Sequence, residues 1–141
     1  MASIENITEE IVEEFGFFED WMDKYEHIIS LGKSLPPLDE ANRKDDFLVK
    51  GCQSRVWLVP RFEDGLVYFD ADSDAIITKG LVALMVRALS GQTPADIVAA
   101  NLSFVDQIGL KEHLSPTRSN GLVSMIKQMK MAALAYSAKS I

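Results

Sequence analysis

Cysteine is nearly absent from this chain: Cys52 is the single one in 141 residues. One thiol cannot close a disulfide within its own chain, and it cannot assemble a zinc site alone. Histidine is scarce as well, with only His27 and His113, and no HExxH or comparable ligand spacing is present. A Cys-His nucleophilic pair and a metal site are therefore both disfavoured. Positive charge is in short supply. Lys and Arg number 14 against 21 Asp and Glu, a net charge of −7, which argues against a nucleic-acid partner. No apolar run of about 18 residues exists, so no membrane span is expected. The opening Met1-Ala2-Ser3-Ile4-Glu5 lacks the basic and then apolar regions of a signal peptide. An unpaired cysteine without an export signal points to a reducing cytoplasm.

The setting of Cys52 narrows its role. It stands in Val49-Lys50-Gly51-Cys52-Gln53-Ser54-Arg55, where a flexible glycine precedes it and polar, turn-forming residues follow. Buried structural cysteines usually lie within apolar runs. Lys50 and Arg55 add positive potential that favours thiolate over thiol. A nucleophile acting alone or against another protein fits this setting better than a small core residue.

Along the chain, Thr8 followed by Glu9 and Glu10 predicts a helix start. Ile11, Phe15, Phe18, Met22, Tyr25 and Ile29 form one apolar stripe. Gly16 interrupts that stripe and allows a kink or a two-helix start. Gly32 is the expected stop, and Leu35-Pro36-Pro37-Leu38 must run extended. Asp39 to Asp46 is loop-like, with room for one helical turn. Phe47-Leu48-Val49, Arg55 to Val59 and Leu66 to Asp70 then predict three antiparallel strands, with a hairpin at Glu63-Asp64-Gly65 and a strand end or bulge at Pro60. Ser73 is the expected cap of a helix ending near Gly91, Thr93-Pro94 opens a short one, and Ser103 caps another before Gly109. Ser115-Pro116 starts the last helix, with Leu122, Met125, Ile126, Met129 and Leu134 inward. No repeat or linker divides residues 1–141, so the expectation is one α+β domain, a small three-stranded antiparallel sheet covered by helices.

Other residues call for weighing. Asp70-Ala71-Asp72-Ser73-Asp74 is rich in carboxylates but lacks the glycine and terminal glutamate of a calcium loop, so helix capping is the preferred reading. Lys79-Gly80 lies inside a predicted helix, where a glycine suggests that the cysteine loop or another element passes close by. Trp57 reads as a packing residue and the six methionines as core filler. Arg118 falls in the first turn of the last helix, against the macrodipole, so it needs either a carboxylate partner or an interaction role.

Taken in order, Trp21 to Tyr25, Leu31-Gly32-Lys33-Ser34-Leu35-Pro36, the Val49 to Leu58 segment around Cys52, Asp72-Ser73-Asp74-Ala75, Lys79-Gly80-Leu81, Gly91-Gln92-Thr93-Pro94 and Leu114-Ser115-Pro116-Thr117-Arg118 before Gly121-Leu122 resemble the SufE family of sulfur-acceptor proteins, which includes CsdE. The resemblance implies a sulfur carrier. A pyridoxal-phosphate (PLP) cysteine desulfurase of the SufS or CsdA type would pass persulfide sulfur to Cys52 and be stimulated in doing so. The sulfur would then go to an iron–sulfur cluster scaffold of the SufBCD type. The fold implied is shared with IscU-type scaffolds, which hold a cluster on three cysteines; a single cysteine argues for carriage instead. The residues implied to support the loop or the partner are Lys50, Gly51, Gln53, Ser54, Arg55, Ser73, Asp74, Lys79, Gly80 and Arg118, with no metal and no cofactor on this chain. Two other classes compete. A thiol enzyme would need a base and an oxyanion site, and a purely regulatory desulfurase binder would not need Cys52.

Overall fold

Gly16 ends the first helix, and the chain opens with two: α1 (Ile4–Gly16) and α2 (Trp21–Lys33). The computed structural model describes residues 3–51 and 54–139. α1 begins earlier than its acidic run suggests. Ser3 Oγ accepts from the Asn6 amide at 3.1 Å, whereas Thr8 lies inside the helix and its hydroxyl donates to the Glu5 carbonyl at 3.0 Å. Asp20 caps α2 through the Asp23 amide at 2.9 Å. The break between the helices resets the helical phase, so an apolar stripe counted straight through slips by one residue. Ile28 is fully buried in place of Ile29, and Met22 is exposed.

Gly32 does not stop α2, which continues to Lys33. Its role is close approach. A Cβ on Gly32 would lie 2.8 Å from the Gly80 nitrogen, and one on Gly80 only 2.2 Å from the Ile28 carbonyl oxygen. α2 therefore crosses α3 (Ile76–Leu89) backbone to backbone, and α2, not the cysteine loop, is the element that Gly80 accommodates.

Among the described residues the sheet has two strands, β1 (Val56–Glu63) and β2 (Leu66–Ser73), antiparallel with Glu63 opposite Leu66. Asp64 (φ 52°) and Gly65 (φ 80°) make the tight connection that the sequence predicts. The third expected strand is not formed. Phe47 closes a 3-10 turn (Asp45–Phe47), and the segment after it makes one isolated bridge, Leu48 to Trp57. The Val49 amide reaches the Val56 carbonyl at 2.8 Å; then Gly51, at φ 87°, turns the chain away before a ladder can form. Because Val56 directs its carbonyl outward, Pro60 shares that outward parity on an edge strand. There its missing N–H disrupts no pairing, so β1 passes through it to Glu63.

The hairpin buries both faces. Val56, Leu58, Val67, Phe69 and Ala71 join the main core under α3 and α7, while Trp57 and Val59 pack with Leu38 beneath the 38–48 segment. β2's outer edge is closed by Gly91 and Gln92, which exchange backbone hydrogen bonds with Val67 at 2.7 and 2.9 Å. Thr93 caps α4 (Pro94–Ala99) through the Asp96 amide, as its Thr-Pro signature predicts. Short helices α5 (Phe104–Gln107) and α6 (Leu110–His113) follow, separated by Gly109 at φ 85°. The long α7 (Pro116–Lys139) lies against α4 and the main core, burying Leu122, Met125, Met129 and Ala133. Leu134, one residue out of phase, is exposed. The result is α+β, with helices packed on a small antiparallel sheet.

Candidate functional site

Cys52 and Gln53 lie outside the described residues, so the site is defined by what holds their neighbours. On the near side, Gly51 has a left-handed backbone, and a Cβ there would stand 2.7 Å from the Ser124 hydroxyl of α7. The left-handed backbone favours glycine, and any Cβ there would also have to displace the Ser124 hydroxyl. On the far side, Arg55 is clamped by its backbone: its amide donates to Asp74 Oδ1 at 3.1 Å, and its carbonyl accepts from the Asp74 amide at 3.2 Å and the Ser73 hydroxyl at 2.8 Å. Ser73 and Asp74 thus anchor the loop's exit. They do not cap α3, whose N-cap, Ala75, has no side-chain cap.

The acidic run 70–74 is used as ion-pair and loop anchors instead of helix caps. Buried Asp72 pairs with Arg43 and, at 3.4 Å, with Lys79 Nζ, and it accepts from the Ser73 amide at 2.8 Å. Arg43 also lies over the Trp57 ring, 5.2 Å from its centroid. Asp72 therefore joins the 38–48 segment, β2 and α3 in one cluster, and Lys79 is part of this framework. Sequence reasoning missed Arg43. No local signal marked it, because Asp72 lies beyond the predicted strand end at Asp70 and becomes a buried strand carboxylate only in the fold.

A cavity of about 300 Å3 opens beside the loop. Ser54, Thr78, Ser115 and Arg118 contribute polar groups to it, and Val56, Leu81 and Met125 contribute apolar ones. Ser54, the first described residue after the cysteine, and Arg118 thus share one lining. Arg118 is exposed, and among the described residues its guanidinium has no carboxylate partner. Its amide is held by the Ser115 hydroxyl at 3.3 Å. Lys50, also exposed, lines a second depression, separate from the Arg118 cavity. Gly80 lies at the helix crossing and does not line the cavity.

Neither histidine lines the cavity. His27 sits 2.8 Å from Glu14 Oε2 and packs against Phe15 and Phe18, while His113 stacks on Trp21 at 4.1 Å. Glu14 also accepts from Arg87 at 3.0 Å. Burial alone would raise its pKa, but the hydrogen bonds from His27 and Arg87 outweigh it and hold the carboxyl below its ordinary range. These contacts brace α1 against α2 and α3. Among the described residues no group of three or more His, Cys, Asp and Glu could hold a metal ion, and no helix is long and apolar enough to cross a membrane.

Comparison with known proteins gives the family and the fold. The family model described as SufE, Fe-S metabolism associated domain, matches residues 9–133. An uncharacterized SufE-like protein of Rhizobium meliloti is 42% identical over 130 residues, covering 89% of this chain and 93% of that one. The SufE-like protein 1, chloroplastic/mitochondrial, of Arabidopsis thaliana is 41% identical over 127 residues, 89% of this chain and 34% of the longer plant protein. The solution structure of a hypothetical protein from Thermus thermophilus superposes with a TM-score of 0.76 at 18% identity, over 92% of this chain and 94% of that one, and supports the fold alone. The chain belongs to the SufE family and carries its Fe-S metabolism domain.

Proposed function

We propose that the protein is a sulfur carrier without turnover of its own, taking persulfide sulfur from a PLP-dependent cysteine desulfurase of the SufS or CsdA type onto Cys52. It stimulates that enzyme by removing its product and delivers sulfur to a cluster scaffold of the SufBCD type in a reducing, cytoplasmic setting. The observation that supports this reading is how the residues flanking Cys52 are held. The described neighbours of the cysteine are held at two points, Gly51 against α7 and Arg55 by Ser73 and Asp74, and Ser54 lines a cavity whose exposed Arg118 has no acidic partner among the described residues.

The chemistry asks little of the rest of the chain. The Cys52 thiolate attacks the terminal sulfur of the desulfurase's persulfide, the old S–S bond breaks, and the enzyme's cysteine leaves as thiolate. An accessible nucleophile and a surface that aligns the two chains suffice. Gly51 gives the loop its turn, and Arg118 is placed to meet a carboxylate of the donor.

The test is desulfurase turnover of cysteine with the wild-type chain and with Cys52→Ser. Stimulation should vanish in the variant while its melting curve stays within about 0.5 kcal/mol of wild type. Stimulation that survives would instead identify a regulatory binder.

A further inference from the structure

The second depression is a groove of about 790 Å3 between the edge of β1 and α7. It begins at the cysteine loop, since Ser124, which lines it, is the side chain a Cβ on Gly51 would strike. Ser124 and Met125, adjacent on α7, line different depressions: the first this groove, the second the Arg118 cavity. The described residues on either side of the cysteine therefore line two separate hollows, Lys50 one and Ser54 the other.

The groove's lining is mostly apolar, with Leu58 and Met131 among it, and Lys50 and Lys127 supply its cations. Among the described residues Asp46 is its one acidic lining residue. Among the described residues neither lysine is in an ion pair. The apolar surface continues past the groove along α7, where Met131 is 62% and Leu134 58% exposed. Unpaired lysines beside exposed apolar side chains, on a chain of net charge −7, mark a surface built for contact.

The edge of β1 limits how that contact is made. Pro60 offers no N–H, and its carbonyl already accepts from the Tyr136 hydroxyl at 3.3 Å. An added β-strand could not pair along it. The occupant must dock through side chains, presenting apolar groups flanked by carboxylates.

We propose that this groove seats the protein that receives the sulfur, leaving the Arg118 cavity to the donor. The inference rests on the sulfur-carrier reading and adds a separate exit side to it. The recipient's cysteine thiolate attacks the outer sulfur of the Cys52 persulfide, the bond to Cys52 Sγ breaks, and Cys52 departs as thiolate while the recipient holds the persulfide. Charge balances, and no outside oxidant or reductant is consumed.

The experiment follows the two half-reactions separately by intact mass, using Lys127→Glu and Met131→Glu, both at exposed positions, with melting curves as the folding control. Loading by desulfurase and cysteine should match wild type, as should discharge to dithiothreitol, which needs no docking. Discharge to a purified SufBCD-type scaffold should slow by about tenfold. Unchanged discharge to the scaffold would overturn the proposal. Slowed loading would assign the groove to the donor, and wild-type self-association lost in both variants would assign it to a second copy; either overturns it too. A wild-type chain that takes up no sulfur would instead defeat the carrier reading beneath it.

Discussion

Where α2 crosses α3, backbone meets backbone with no room for a methyl group; where Gly51 meets α7, it meets a single side chain, Ser124, and separate hollows are lined by Ser124 and Met125. Both regions rest on a glycine, used in opposite ways. Gly80 permits two backbones to touch and closes the frame, while Gly51 permits the turn that leads into the cysteine. The difference separates residues kept for rigidity from those available to a partner. The proposed carrier role would use both, because a reactive sulfur must be presented from a frame that does not yield.

The closed region should show the largest mutational effect. Gly80→Ala places a Cβ 2.2 Å from the Ile28 carbonyl, where neither backbone can yield cheaply. A loss of about 3 kcal/mol or more is expected in urea denaturation. A variant within about 1 kcal/mol of wild type would mean that the crossing is looser than described.

The open region should respond in binding instead of stability. Arg118→Ala should weaken desulfurase affinity by about 1–2 kcal/mol with its melting temperature unchanged. If stability falls and affinity per folded molecule holds, Arg118 belongs to the frame and the contrast between the regions fails there.

The smallest effect concerns the brace between α1 and its neighbours. The native pKa of Glu14 lies below its ordinary value of 4.5, so its contribution is fully present above that value and lost as the pH falls through the lowered native one. The stability difference between wild type and Glu14→Gln should thus be no more than about 1 kcal/mol at neutral pH, given the partial exposure of the pairs. It should shrink on acidification below about pH 4.5. A difference that grows in acid would remove Glu14 from the brace.

Local signals made much of the frame legible. The Gly16 break, the Asp64-Gly65 turn and the Thr93-Pro94 cap depend on residues close in sequence, and each appears as predicted. What failed depended on distance or phase. The α1–α2 break moved Ile28 inward ahead of Ile29. The third strand was lost to the turn at Gly51, and Ser73 serves the Arg55 carbonyl because β2 runs three residues farther than its apolar run suggests. The Asp72–Arg43 pair joins residues 29 positions apart, and no local pattern marks it. Around the site, the sequence singled out Ser54 and Arg118 separately; their common cavity requires the fold that brings α7 to the loop.

The central claim is that Cys52 accepts sulfur. Its most direct test is the intact mass of the chain after incubation with a desulfurase, its PLP and cysteine, followed by peptide mapping. The account predicts one added sulfur, about 32 Da, on the peptide containing Cys52, removed by dithiothreitol and absent from Cys52→Ser. An unmodified chain in the presence of an active desulfurase that it binds would contradict the account.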